Sequence, residues 1–96
     1  MDNIFEIIDK TGREIRLTKT QFKHVICHKG MENQIEKIKD TLRNPLKIVS
    51  HEAGELYDYY GYHEDIKKKA KFLQVVVKYL NGDGFVITSY FVRKIT

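Results

Sequence analysis

The chain has 96 residues, of which 42% are hydrophobic and 31% charged, and its formal net charge is +4. This length is below the usual size of a two-domain protein, so we expect one domain over residues 1–96, and the hydrophobic fraction predicts that it folds. Cys27 is the only cysteine, which excludes an internal disulfide, and no apolar run approaches the roughly 20 residues that span a bilayer. The first residues carry no export signal, so we expect a cytoplasmic protein that does not insert into membranes.

A short hairpin and a first helix are predicted in the N-terminal third. The apolar run at residues 4–8 is followed by the turn signal Asp9-Lys10-Thr11-Gly12 and by alternating residues 14–17, which is typical of a small hairpin. Apolar residues then recur at helical spacing between a capping threonine and Gly30. They predict a helix over about residues 19–29.

A second helix and four strands are predicted in the rest of the chain. Residues 32–43 place apolar side chains at i, i+3 and i+7, and the helix ends at Asn44-Pro45 because proline cannot continue it. Beyond Pro45 the pattern changes to period two, with strands predicted at residues 48–50, 56–62, 72–79 and 85–92. The glycines of Asn81-Gly82-Asp83-Gly84 make the last two strands an antiparallel hairpin. The predicted class is α+β, with a small N-terminal hairpin and two helices packed on a four-stranded antiparallel sheet.

Two histidines in the first predicted helix are candidates for catalysis. His24 and His28 are four residues apart, so a helix would place them on one face. Histidine titrates near neutral pH and can move a proton in phosphodiester cleavage without a metal, although both residues also fit an ordinary helix surface. Cys27 lies between them, which raises the alternative of a zinc site. That site lacks a fourth ligand, so we expect no metal or other cofactor and interpret Cys27 as a small buried hydrophobic residue.

The predicted sheet carries several candidates for substrate binding. Residues 56–62 contain four of the six tyrosines, which stack on bases in some proteins and pack in the core in more. The lysine-rich segment 67–71 fits either a polyanion contact or a solvated loop, and it makes Lys68 and Lys69 candidate contacts to a nucleic acid.

Lys78 and the hydroxyl residues of the last strand form the remaining group of candidates. Lys78 interrupts an apolar run, so it either reaches solvent at the sheet edge or neutralises a phosphate. Thr88 and Tyr90 must share a face of the next strand. If Leu80 paired with Phe85, Lys78 would lie opposite Ile87, whereas a one-residue bulge would place it opposite Thr88. The sequence leaves both registers open.

The order of these motifs resembles a nuclease superfamily. The motifs are His-Val-Ile-x-His, Ile-x-x-Thr-Leu-x-x-Pro-x-x-Ile, a tyrosine-rich strand, Val-Val-Val-Lys and Gly-Phe-Val-Ile-Thr-Ser-Tyr. Over residues 17–95 the chain resembles the phage-associated branch of the barnase, EndoU, colicin and RelE-like nuclease superfamily. The resemblance implies a metal-independent endoribonuclease of a toxin or mobile-element type, in which 2′-hydroxyl attack leaves a 2′,3′-cyclic phosphate. It also implies RNA as substrate and an antitoxin or immunity protein as partner.

The resemblance further implies roles for individual residues. Proton transfer would come from His24 or His28, and Lys78 would stabilise the phosphorane. The implied catalytic set is completed by Thr88 and Tyr90, and the implied substrate contacts are Ser89 and Tyr60. Because a fold does not dictate activity, a catalytically inactive RNA-binding or protein-interaction module stays open as the alternative, as does the oligomeric state.

Overall fold

The computed structural model describes residues 3–28, 30–51 and 54–95. In chain order the elements are β1 (Asn3–Ile8), β2 (Glu14–Thr18), α1 (Lys19–Val25), α2 (Ile35–Arg43), β3 (Lys47–His51), β4 (Leu56–Tyr62), β5 (Phe72–Leu80) and β6 (Asp83–Val92). The strands form one six-stranded sheet in the order β1-β2-β6-β5-β4-β3. β2 and β6 are parallel, and the other neighbouring strands are antiparallel. The predicted α+β class is confirmed.

The extent of the sheet differs from the prediction, because the N-terminal hairpin belongs to it. β2 pairs with the start of β6 at Ile15–Gly84 and Arg16–Phe85. A Cβ at Gly84 would lie 2.8 Å from Cε1 of Tyr79 and 3.0 Å from Cγ1 of Ile15. Because Gly84 has no side chain, Tyr79 and Ile15 can pack closely against its backbone. The predicted four-stranded antiparallel sheet was therefore wrong, since the sheet has six strands and one parallel pair.

The core lies between α2 and one face of the sheet, which we call the helix face. Alternation in β5 places Leu73, Val75 and Val77 on that face, where all three are buried. Ile38 and Leu42 of α2 are fully buried in the same cluster. We call the opposite side of the sheet the open face. Neither helix of the described segments is long and apolar enough to cross a membrane.

The first helix ends at Val25, four residues earlier than predicted. Its start agrees with a threonine cap, because Oγ1 of Thr18 accepts a hydrogen bond from a backbone amide of the first turn. After Val25 the amides of Cys27 and His28 bond to carbonyls three residues back, at 3.2 and 3.1 Å, which is the tighter 3₁₀ spacing. Gly30 has a φ of 86° and closes this turn. His28 therefore lies in a turn and not on the helix.

The second helix begins at Ile35, three residues later than predicted. Met31 is fully buried, and its carbonyl accepts a hydrogen bond from the amide of Gln34 at 3.3 Å. This turn uses the residues that were predicted to form the first helical turn. The predicted end of the helix at Asn44-Pro45 is confirmed, since α2 ends at Arg43.

The hairpin that joins β5 to β6 has a two-residue turn, Asn81-Gly82, with φ angles of 54° and 86°. Positive φ at both positions matches the twist of the flanking strands, so Leu80 pairs with Asp83. Lys78 consequently lies opposite Phe85. Neither of the two predicted registers for Lys78 was right.

A bulge at Ile87 decides which way the end of β6 faces. Val86 pairs with Val77, and Thr88, two residues on, pairs with the neighbouring Val76. The extra residue shifts the alternation by one position. Without it Thr88 would point into the core; with it, Thr88 lies on the open face.

Candidate functional site

Three of the predicted site residues are in contact at one end of the open face. Nε2 of His28 lies 3.0 Å from Oγ1 of Thr88, a hydrogen bond whose donor depends on the histidine tautomer. The imidazole also packs against the ring of Tyr90, with centroids 5.3 Å apart and planes inclined by 60°. Thr88 and Tyr90 pair with Val76 and Gln74 of β5, which both lie on the open face.

The position of α1 brings His28 to this end of the sheet. β2 pairs with β6 only as far as Arg16, and α1 follows directly and lies beside the rest of β6. The side-chain amide of Gln21 donates a hydrogen bond to the carbonyl of Ile87. The helix thus covers a strand edge that would otherwise be open, and the turn after the helix carries His28 to Thr88.

His24 lies next to His28, although not for the predicted reason. The two ring centroids are 6.2 Å apart and the planes are inclined by 87°. His24 is exposed in the last turn of α1, and the compact turn after Val25 keeps His28 close to it. Two imidazoles therefore stand within reach of one small substrate group.

Asp58 and Tyr60 of β4 also lie on the open face, on the two rows that contain Thr88 and Tyr90. The strand register places Asp58 and Val76 on the same row as Thr88. It places Tyr60 and Gln74 on the same row as Tyr90. Burial raises the pKa of Tyr90, and electrostatic interactions with Asp58 and Tyr60 add to the effect. Like any tyrosine phenol, that of Tyr90 is protonated near neutral pH and can donate a hydrogen bond.

Asp58 and His51 form a pair that sequence reasoning missed. Nε2 of His51 lies 2.8 Å from Oδ2 of Asp58, which is 9% exposed. Period two in β4 placed Asp58 on the face of Tyr60, a signal that was readable. The β3–β4 register, which places His51 diagonally opposite Asp58, could not be read from the sequence.

Tyr60 cannot serve as the predicted stacking platform. Its side chain is only 2% exposed, so neither face of the ring is free for a nucleobase. The buried ring instead forms part of the surroundings of Tyr90.

Lys78 lies on the same face as Thr88, half-buried and not at an exposed edge. Lys78 pairs with Phe85, and the bulge lies between Phe85 and Thr88 in β6. Lys78 is therefore one diagonal step from Thr88, a distance of roughly 7–8 Å between backbone positions. A lysine side chain can span that distance.

The other predicted contacts lie apart from this group. Ser89 is fully buried and donates a hydrogen bond at 3.0 Å to the carbonyl of Gln74, because the residue after Thr88 faces the core. Ser89 therefore cannot bind a phosphate on the open face. Lys68 and Lys69 are exposed in the loop between β4 and β5, where Lys68 approaches Gly30.

The structure offers no support for zinc binding. In residues 3–28, 30–51 and 54–95, no three His, Cys, Asp or Glu side chains are grouped so that they could hold a metal ion. Since α1 ends at Val25, the helical spacing assumed for His24, Cys27 and His28 does not exist. Cys27 is also exposed, so the interpretation as a buried hydrophobic residue was wrong.

His63 is a structural residue. Nε2 of His63 lies 3.0 Å from Oγ1 of Thr41, which is fully buried on α2. Burial lowers the pKa of His63 and favours the neutral ring.

The arrangement on the open face combines imidazoles, hydroxyls and a lysine, which are groups for proton transfer and for contact with an anion. Comparison of the chain with protein-family models, with curated proteins and with solved structures found no match. The resemblance to the barnase, EndoU, colicin and RelE-like nuclease superfamily therefore stays a prediction.

Proposed function

We propose that the chain is a metal-independent endoribonuclease, of a toxin or mobile-element type, that cleaves RNA through attack of a 2′-hydroxyl on the adjacent phosphorus. The observation that carries the proposal is the contact of His28 with Thr88 and Tyr90 on the open face. A histidine held by a hydroxyl, beside a protonated phenol and within a lysine's reach, suits the transfer of protons at a phosphodiester.

The reaction requires two proton transfers. As the bond between phosphorus and the 2′-oxygen forms, a base removes the 2′-hydroxyl proton. As the bond to the 5′-oxygen breaks, an acid gives that oxygen a proton, and the products are a 2′,3′-cyclic phosphate and a 5′-hydroxyl. The neighbouring rings of His28 and His24 supply one group for each transfer. Thr88 orients His28 through its hydrogen bond, in which the hydroxyl can donate or accept according to the tautomer of the ring.

Charge builds on the phosphate oxygens in the transition state, and two open-face groups can stabilise it. Lys78 supplies a positive charge on the face of Thr88. Tyr90 supplies a hydrogen-bond donor, since its phenol is protonated near neutral pH. Donors placed where charge develops contribute more than donors in water, because they need no reorganisation.

The test is cleavage of total RNA by the purified chain, with and without EDTA, followed by analysis of the ends. We expect cleavage that persists in EDTA and leaves 2′,3′-cyclic phosphate ends. His28→Ala should lower the rate by roughly 10²–10⁴-fold, and His24→Ala should do so if His24 is the partner in proton transfer. Cys27→Ala is the matched control, since Cys27 is exposed in the same turn and should leave the rate unchanged.

Full activity of both histidine variants, with folding verified by circular dichroism, would exclude these roles. RNA that is retained by the wild type in low salt without any cyclic-phosphate product would instead favour the inactive binding module.

A further inference from the structure

A cavity of about 200 Å³ lies between the turn that follows α1, the loop between β4 and β5, and the end of β6. Its lining residues are Gly30, Gln34, Ile66, Lys67, Lys68 and Phe91. These residues come from three separate segments, so the fold assembles the cavity. None of the proposed catalytic residues lines it.

The lining combines an apolar wall, positive charge and an amide. Phe91 and Ile66 are partly buried and supply aromatic and aliphatic surface. Lys67 and Lys68 are exposed and supply two positive charges, and the side chain of Gln34 offers both a donor and acceptors. A nucleotide presents the complementary groups, since its base has an apolar face and a polar edge and its phosphate is an anion.

The size of the cavity restricts the ligand. Pockets that enclose drug-sized molecules measure roughly 300–1,000 Å³, so this cavity of about 200 Å³ has the size for a single base. Lys68 approaches the turn, since a Cβ at Gly30 would lie 3.3 Å from Nζ of Lys68. A positive charge therefore lies near the backbone of the turn that lines the cavity.

The cavity adjoins the candidate site through two chain neighbours. Phe91 follows Tyr90 in β6, and because successive strand residues face opposite sides, the two rings lie on the two faces of the same strand end. Gly30 lies two residues after His28 in the same turn. A single strand of RNA whose phosphate lies at His28 can therefore direct a neighbouring base around the end of β6.

We infer that this cavity binds the base of a nucleotide next to the cleaved phosphate, with Phe91 stacked on the base and Lys67 and Lys68 beside its phosphate. The inference rests on the proposed function for the identity of the neighbouring phosphate. Base–aromatic stacking tolerates any base, so the cavity would add affinity more than sequence preference.

The test is binding of 2′-O-methyl tetranucleotides of each of the four bases, which cannot be cleaved because the attacking hydroxyl is blocked. The probes are titrated into ¹⁵N-labelled protein, and amide shifts are followed. We expect the largest shifts at Gln34, Ile66 and Phe91, and about tenfold weaker binding for Phe91→Leu. Lys68→Ala should weaken binding more than Lys69→Ala, the matched control with the same charge in the same loop but outside the cavity.

Equal effects of Lys68→Ala and Lys69→Ala, or shifts confined to other surfaces, would overturn the inference even if Phe91→Leu proved unstable. Cleavage of RNA with an unresponsive cavity would leave the proposed function standing without this subsite. If the wild type bound the oligonucleotides in the cavity but cleaved no RNA, the cavity would stand as a nucleotide site and the proposed ribonuclease activity would be refuted. Shifts at the cavity caused by a protein partner, and by none of the oligonucleotides, would identify a protein ligand and refute the nucleotide assignment.

Discussion

Replacing Asp9 with asparagine should destabilise the fold, because its carboxylate is the shared acceptor of a buried polar network. Oδ1 accepts hydrogen bonds from the amides of Thr11 and Arg13, each at 2.9 Å, and from the Thr11 hydroxyl at 2.7 Å. Oδ2 accepts from the hydroxyls of Tyr59 and Tyr79, the latter at 3.3 Å. Asp9 is 5% exposed, so water cannot replace these partners freely.

The magnitude follows from the bonds that asparagine cannot make. Its oxygen can keep the contacts of Oδ1, but its NH₂ group cannot accept from the two phenols. Each hydrogen bond to a charged group contributes roughly 1.5–3 kcal/mol, and the phenols recover part of the loss through their own contact. That contact joins the hydroxyls of Tyr59 and Tyr79 at 2.6 Å. We expect the free energy of unfolding of Asp9→Asn to fall by about 2–3 kcal/mol, a large part of the roughly 5–15 kcal/mol of a typical domain.

The loss should depend on pH in a defined direction. Burial alone raises the pKa of Asp9, but the hydrogen bonds from Tyr59, Thr11 and Arg13 outweigh it, and the pKa is lowered from its ordinary value. A carboxyl of this kind stabilises the fold above its unfolded pKa of roughly 3.9, and the stabilisation is lost as the pH falls through the lower folded pKa. The difference between wild type and Asp9→Asn should therefore shrink on acidification.

The assay is urea unfolding at neutral and at acidic pH, followed by far-ultraviolet circular dichroism. Asp65→Asn is the control, since Asp65 is an exposed carboxylate whose pKa is lowered by the hydrogen bond from Lys37. Solvent screens that pair, so its loss should have little effect. A stability difference between wild type and Asp9→Asn that is equal at both pH values would refute the role of the ionised carboxylate.

Two further predictions concern the packing of α2 on the sheet. Gly61→Ala would place a Cβ 2.7 Å from Oγ1 of Thr41, so urea unfolding should show a loss of about 1–3 kcal/mol. The loss should be smaller in a Thr41→Ala background, and an equal loss there would exclude the clash. Burial lowers the pKa of His63 in the folded protein below its unfolded value of roughly 6.5. The free energy of unfolding should therefore fall as the pH drops from the unfolded pKa to the lower folded pKa. Unfolding of His63→Gln should lack this pH dependence, and a pH profile that matches the wild type would contradict it.

Local patterns predicted the elements well. Period two in residues 56–62 and 72–79 corresponds to β4 and β5, and the run that ends at Asn44-Pro45 corresponds to α2. These signals are readable because burial of one face of an element imposes its repeat on residues that are close in the chain. The element class follows from the same repeat, which already placed Thr88 and Tyr90 on one face of the last strand.

The tertiary structure alone decided how those elements meet. The turn at Asn81-Gly82 and the bulge at Ile87 set the register that turns Thr88 to the open face and Ser89 to the core. His28 reaches Thr88, 60 residues away in the chain, because α1 covers the edge of β6 where β2 leaves it. A register depends on the backbone angles of a turn and on one extra residue in a strand, and neither changes the periodic pattern of the residues around it. The sequence by itself determined which side chains were present for the chemistry, and only the pairing of distant strands determined which of them share a surface.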